Sequence, residues 1–208
     1  MTDHLPEKLI VIAIFLLIAF PVHEFAHAAA ARSLGDSTAK LFGRMSLNPI
    51  VHFDRFGGLM TVVSVLLGGF LIGWAKPTPV NRANLRDRRN GEVLVALAGP
   101  ASNIVMAIVA ALIFRALVAI DIRPPDLLIY SLYLFVVYNI ALGIFNLLPF
   151  PPLDGSTLLF RFLPARYAWQ LRPILAQYGF VVLIVFILVL SEPLSRFISG
   201  VAQLLVGA

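Results

Sequence analysis

The stretch LIVIAIFLLIAFPVHEFAHAAAA, residues 9–31, is an apolar run long enough to cross a bilayer, yet its second half carries His23, Glu24 and His27. An ionised side chain at the centre of a lipid-crossing helix costs roughly 2.5–3.5 kcal/mol even on insertion scales, so such residues persist there when they serve a site. Their order, His23-Glu24-Phe25-Ala26-His27, is an HExxH pentapeptide. Two histidines four residues apart on a helix lie about 40° apart around its axis and one turn apart along it, so both imidazoles reach one tetrahedral cation. Glu24 falls between them on an adjoining face, where its carboxylate is suited to move a proton from water. An HExxH string alone fixes three positions and occurs by chance in soluble helices; its placement within an apolar span is what favours a metal site.

The whole chain agrees with a membrane setting. Of its 208 residues, 60% are hydrophobic and only 13% charged, outside the range of soluble domains. Mean hydropathy is +0.91. The first run continues through the HExxH to Ala31 without a small-residue cleavage site, and the region before it is not basic, so it reads as a retained transmembrane helix and not a signal peptide. Further runs at 93–120, 127–148 and 174–190 predict an all-α polytopic protein of four to five transmembrane helices. The chain reads as a single domain over 1–208, with a core at about 9–160 and C-terminal helices at about 167–206. There is no cysteine, so a metal must be held by His, Asp or Glu. The net charge of +5 arises in short loops between apolar runs, a pattern of membrane topology that excludes nucleic acid as a partner.

Residues 57–73 are ambiguous, because Gly57, Gly58, Gly68, Gly69 and Gly73 leave few good helix formers between them. Arg32, Lys40, Arg44 and Arg55 precede this segment, and Lys76, Arg82, Arg86, Arg88 and Arg89 follow it. Both flanks therefore read as cytoplasmic and the segment as re-entrant, packed where protein covers its backbone. Arg161, Arg166 and Arg172 place the loop after the third span on the same side, which leaves the N-terminus and the 121–126 loop outside. Residues 193–208 read either as an interfacial helix or as the second half of the last span.

A catalytic zinc site usually has three protein ligands and one open position. The stretch Asn146-Leu-Leu-Pro-Phe-Pro-Pro-Leu-Asp154-Gly155 supplies a lone carboxylate at the end of the third span. In isolation an aspartate before glycine reads as a turn or helix cap. Beside an HExxH on the same cytoplasmic side, Asp154 becomes the natural third ligand.

Three motifs, in order, now carry a resemblance: HExxH at 23–27, Gly99-Pro100-Ala101-Ser102-Asn103, and the Asn146 to Gly155 stretch ending Leu-Asp-Gly. The chain resembles the site-2 protease family of intramembrane zinc metalloproteases. The resemblance covers about residues 9–160 and implies that His23, His27 and Asp154 bind one Zn2+ per chain, that Glu24 is the general base, and that a transmembrane protein or peptide substrate is cut within the bilayer. Gly73-Trp-Ala-Lys-Pro77, and Ser46-Leu-Asn-Pro49 with His52 and Asp54, are similar to the compact bacterial and archaeal branch, without a PDZ or CBS domain. That branch implies a prokaryotic cytoplasmic membrane, an active site toward the cytoplasmic leaflet, and a small membrane-associated β element at residues 36–56.

Polar residues nearby are candidates for supporting roles. Asn139, Gly143 and Asn146 share one helix face, which is suited to helix packing through small residues as well as to function. Asn146 is expected to hold an extended substrate backbone or stabilise an oxyanion. Asn103 reads as mainly structural or as a support behind a ligand, with a substrate or oxyanion contact as the lesser expectation. His52 is a candidate to support a metal ligand from behind. The chain leaves homo-oligomerisation open. The competing function is a metal-ion channel or transporter using intramembrane His, Glu and Asp, but the acids do not recur along several helices as a relay requires.

Overall fold

The computed structural model describes residues 5–68, 75–120 and 125–207. Helix α1 (Leu5–Ile14) runs through a π-helical turn (Phe15–Ala19) into α2 (Phe20–Ser33), which carries the HExxH. Pro21 lacks the N–H that would continue the ladder and its ring crowds the turn before it; the π turn lies in that place. Two short helices, α3 (Thr38–Leu41) and α4 (Pro49–His52), lead to α5 (Arg55–Gly68). After a single 3-10 turn at Arg82–Asn84 come α6 (Arg88–Ala119), α7 (Asp126–Asn146), α8 (Gly155–Phe162) and α9 (Ala165–Val206).

Among the described residues four helical segments are long and apolar enough to cross a membrane: Ile12–Ser33, Arg88–Ala119, Asp126–Asn146 and Ala165–Val206. The all-α polytopic expectation is met. Large apolar side chains such as Val105, Ile108, Leu112, Leu188 and Val189 are exposed along these helices, as a lipid-facing surface demands. The packed centre lies where Ala107, Ala110 and Ala111 of α6 meet Val136 and Ile140 of α7 and Ile198, Ala202 and Val206 of α9. Small residues on α6 let three backbones approach closely. Residues 193–206 continue the last helix and complete this centre.

Residues 36–56, where a β element is expected, form two short helices joined by turns and bends, and no strand occurs among the described residues. The local reason is capping. Asp36 accepts the Thr38 N–H at 3.0 Å, and Asn48 accepts the Ile50 N–H at 3.0 Å with Pro49 in the first turn. The ambiguous 57–73 segment begins as α5, capped by Asp54, and residues 69–73 lie outside the described part, as do 121–124 of the expected outer loop. Beyond it, the Lys76 N–H donates to the His52 carbonyl at 2.8 Å.

Candidate metal centre

Helix α2 presents His23 and His27 on one face, their rings edge to face at 4.7 Å. Helix α6 crosses directly behind them at Gly99. A Cβ there would stand 2.5 Å from Cε1 of His27 and 2.6 Å from Cε1 of His23, so only glycine admits this approach. The crossing brings two acceptors against the rings: His23 Nδ1 lies 2.6 Å from Asn103 Oδ1, and His27 Nδ1 lies 2.7 Å from the Val95 carbonyl. A carbonyl oxygen only accepts, so His27 carries its proton on Nδ1 and turns the lone pair of Nε2 outward. Asn103 gives its Nδ2 to Asn139 Oδ1 at 3.1 Å, which leaves its oxygen for His23 and sets the same tautomer there.

The third group comes from the far side. Asp154 occupies the position before α8, but its side chain makes no capping bond; Oδ2 instead lies 3.3 Å from both Nε2 atoms. The two Nε2 atoms are 3.1 Å apart, and Asp154 Oδ2 is buried with no hydrogen-bond partner. Two imidazole nitrogens and a carboxylate oxygen thus converge on one point, an arrangement that a cation satisfies. Ligands about 2.0–2.1 Å from a tetrahedral zinc stand about 3.3–3.4 Å from one another, close to the observed edges, and the two-nitrogen, one-oxygen set suits that ion. Among the described residues this is the one cluster of three or more such groups that fits a metal. Asp154 is delivered by the turn after α7, where a Cβ on Gly155 would meet the backbone carbonyls of Leu147 and Leu148. The adjacent Pro151–Pro152 peptide bond is cis.

Glu24 lines the same cavity, of about 760 Å³, as His23, His27 and Asp154. Its Oε2 accepts the backbone N–H of Thr78 at 2.8 Å, and the Thr78 hydroxyl donates to the Glu24 carbonyl at 3.0 Å. Thr78 is a residue that the sequence reading missed. Its signal was Pro77-Thr78-Pro79, an extended tripeptide whose central N–H has no local partner.

The remaining candidates separate. Asn146 lines the cavity, with one Nδ2 hydrogen given to the Leu142 carbonyl at 3.0 Å. Asn103 is fully buried and sits behind His23. His52 is also buried, but its Nε2 pairs with the Ser46 carbonyl at 2.7 Å and it is not among the three converging donors. It fixes the loop against which Lys76, and so the Thr78 segment, is laid.

The family model described as peptidase family M50 matches residues 11–124 and 125–190. YwhC of Bacillus subtilis (strain 168), provisionally named a zinc metalloprotease, is 36% identical over 196 residues, covering 90% of this chain and 83% of YwhC. Rip2 of Mycolicibacterium smegmatis, named in the same way, is 31% identical over 204 residues, covering 92% of this chain and 75% of Rip2. Rip3 of Mycobacterium tuberculosis, likewise named, is 30% identical over 190 residues, which is 90% of this chain but 39% of Rip3. No solved structure shows a significant match to the chain.

Proposed function

The chain belongs to peptidase family M50 and is an intramembrane zinc metalloprotease, and from that premise we propose that His23, His27 and Asp154 hold one Zn2+ per chain while Glu24 is the general base. The observation that carries this assignment is the convergence of two buried imidazoles and a partly buried carboxylate, their donor atoms within 3.1–3.3 Å of one another, on the cavity that Glu24 lines. When bound there, zinc would supply Lewis acidity and lower the pKa of water toward neutrality. Glu24 is held by Thr78 through Oε2, so Oε1 is the oxygen that takes the proton from the attacking water and passes it to the departing amide nitrogen. Asn146 has a second Nδ2 hydrogen beyond the one given to Leu142, and that hydrogen serves the developing oxyanion or the substrate backbone.

The substrate is a transmembrane segment of another protein. Its helical ladder shields each peptide carbonyl, so the bond to be cut must first be unwound. The segment at residues 75–80, which has no regular secondary structure, lines the cavity through Ala75, Pro77, Thr78 and Val80 and is placed to exchange hydrogen bonds with the unwound chain. For topology, the Lys76–His52 bond supports a re-entrant 57–73 segment. The basic ends also gather: Arg82 pairs with Glu92, and Arg161 Nη2 donates to Asn90 Oδ1 at 2.8 Å, which supports a cytoplasmic face there and an outer N-terminus in a prokaryotic cytoplasmic membrane. The shared centre of α6, α7 and α9 supports one domain over the chain.

The test is to purify wild type, Glu24→Gln and Asp154→Ala in detergent, measure bound metal, and assay cleavage of model transmembrane peptides. Glu24→Gln is expected to keep stoichiometric zinc and lose at least about 10²-fold in kcat, whereas Asp154→Ala loses zinc and activity together. A wild type that folds without zinc, or a Glu24→Gln enzyme that cleaves normally, would reject the assignment.

A further inference from the structure

Behind His23 a chain of buried amides runs away from the metal centre, and none of its members faces the cavity. The Asn139 Nδ2 donates to the Phe135 carbonyl at 2.9 Å, the Asn103 Nδ2 donates to Asn139 Oδ1 at 3.1 Å, and His23 Nδ1 lies 2.6 Å from Asn103 Oδ1. Both asparagines are fully buried within apolar helices, where each amide must satisfy its donors and acceptors internally.

This chain has a direction. The carbonyl of Phe135 can only accept, so Asn139 must point its NH2 toward it and its oxygen toward Asn103. Asn103 then has only its NH2 to offer Asn139, which leaves its oxygen facing His23. An oxygen at that place requires the proton on Nδ1 and leaves the lone pair on Nε2, the atom that points at Asp154 and His27. If Asn103 were free to turn over, its NH2 would select the opposite tautomer and withdraw a ligand. His27 needs no such device, because the Val95 carbonyl sets its tautomer directly.

We propose that Phe135 C=O, Asn139 and Asn103 form a directional amide relay that fixes the tautomer of His23 and so holds the metal site in its binding form. Asn139 is a positioning residue that acts from α7 on a ligand of α2 through α6. The relay rests on the reading that His23 binds zinc. Hydrogen-bond partners behind a metal-bound histidine typically change metal affinity 10–100-fold when removed.

Zinc affinity, measured by chelator competition on the folded protein in detergent, tests this without reference to catalysis. Asn139→Leu and Asn139→Ala each remove the relay's anchor and are expected to weaken zinc binding about 10-fold. Asn103→Asp supplies a carboxylate that only accepts, so it enforces Nδ1–H on His23 with no help from Asn139. In the Asn103→Asp background, loss of Asn139 is therefore expected to change affinity less than about two-fold, a rescue that a mere packing defect would not show. Equal losses in the two backgrounds, or no loss from either Asn139 substitution, would overturn the relay while leaving zinc in wild type. A wild type that binds no zinc would overturn the metal assignment itself. The 15N shifts of His23 in zinc-loaded wild type give a check that needs no variant: Nδ1 protonated is expected, and Nδ1 on the metal overturns the relay.

Discussion

Gly99 shows how much a single hydrogen in place of a side chain decides. With its Cβ position overlapping both histidine rings, Gly99→Ala must push α6 away from α2. The displacement also pulls Val95 and Asn103 from the nitrogens they orient. We expect Gly99→Ala to cost about 1–3 kcal/mol of stability and to weaken zinc binding at least about 10-fold, by analogy with lost support behind metal ligands. Gly200→Ala is the control, since no atom lies within 4 Å of a Cβ there; it should be neutral or stabilising by up to about 1 kcal/mol. Thermal melts and chelator titrations of the two variants separate these outcomes, and equal behaviour would refute the role given to Gly99. At this scale the sequence was most legible: the structure brings together His23, His27 and Asp154, the three residues that the motifs single out. Thr78 was hidden because what it gives the Glu24 carboxylate is a backbone N–H, which every residue but proline owns.

The elements between the spans were harder to read. A β element at 36–56 was expected from resemblance, although Asp36 and Asn48-Pro49 are local helix-start signals, and those signals prevailed in α3 and α4. Asp36 does more than start a helix. Fully buried, it accepts from the Thr38 hydroxyl at 2.5 Å, the Asn81 N–H at 2.7 Å and Asn84 Nδ2 at 3.0 Å, which ties the end of α2 to the segment that carries Thr78. Burial opposes its charge, but these donors outweigh burial and hold its carboxyl below the ordinary 3.8. A depressed carboxylate stabilises the fold fully above its unfolded pKa, and that contribution is lost as pH falls through the lower folded value. Wild type should therefore exceed Asp36→Asn in melting temperature at pH 7, and the gap should close as pH drops below about 4. A gap unchanged with pH would show that the charge of Asp36 does not contribute.

Across the whole molecule, the first three spans were legible from apolar length, while the path of the last helix was not. Residues 174–190 alone satisfy a bilayer, and 193–208 read either as an interfacial helix or as a second half of that span; the 42 residues Ala165–Val206 form one helix, with Pro193 inside it. The reason is packing: Ile198, Ala202 and Val206 find a prepared surface on α6 and α7, which outweighs the proline. At 1.5 Å per residue α9 is about 63 Å long, roughly twice the hydrocarbon thickness of about 30 Å. Its middle touches the turn that delivers Asp154: a Cβ on Gly179 would lie 2.7 Å from the Pro151 carbonyl, and Phe186 packs on Phe150 at 5.6 Å. A rod this long meets hydrophobic mismatch by changing its tilt. In vesicles of graded acyl-chain length, cleavage should then pass through a maximum while bound zinc stays constant, and a flat profile would separate α9 from the site. Such a maximum would make the thickness of the surrounding lipid a setting of this enzyme, passed along α9 to the turn that carries Asp154.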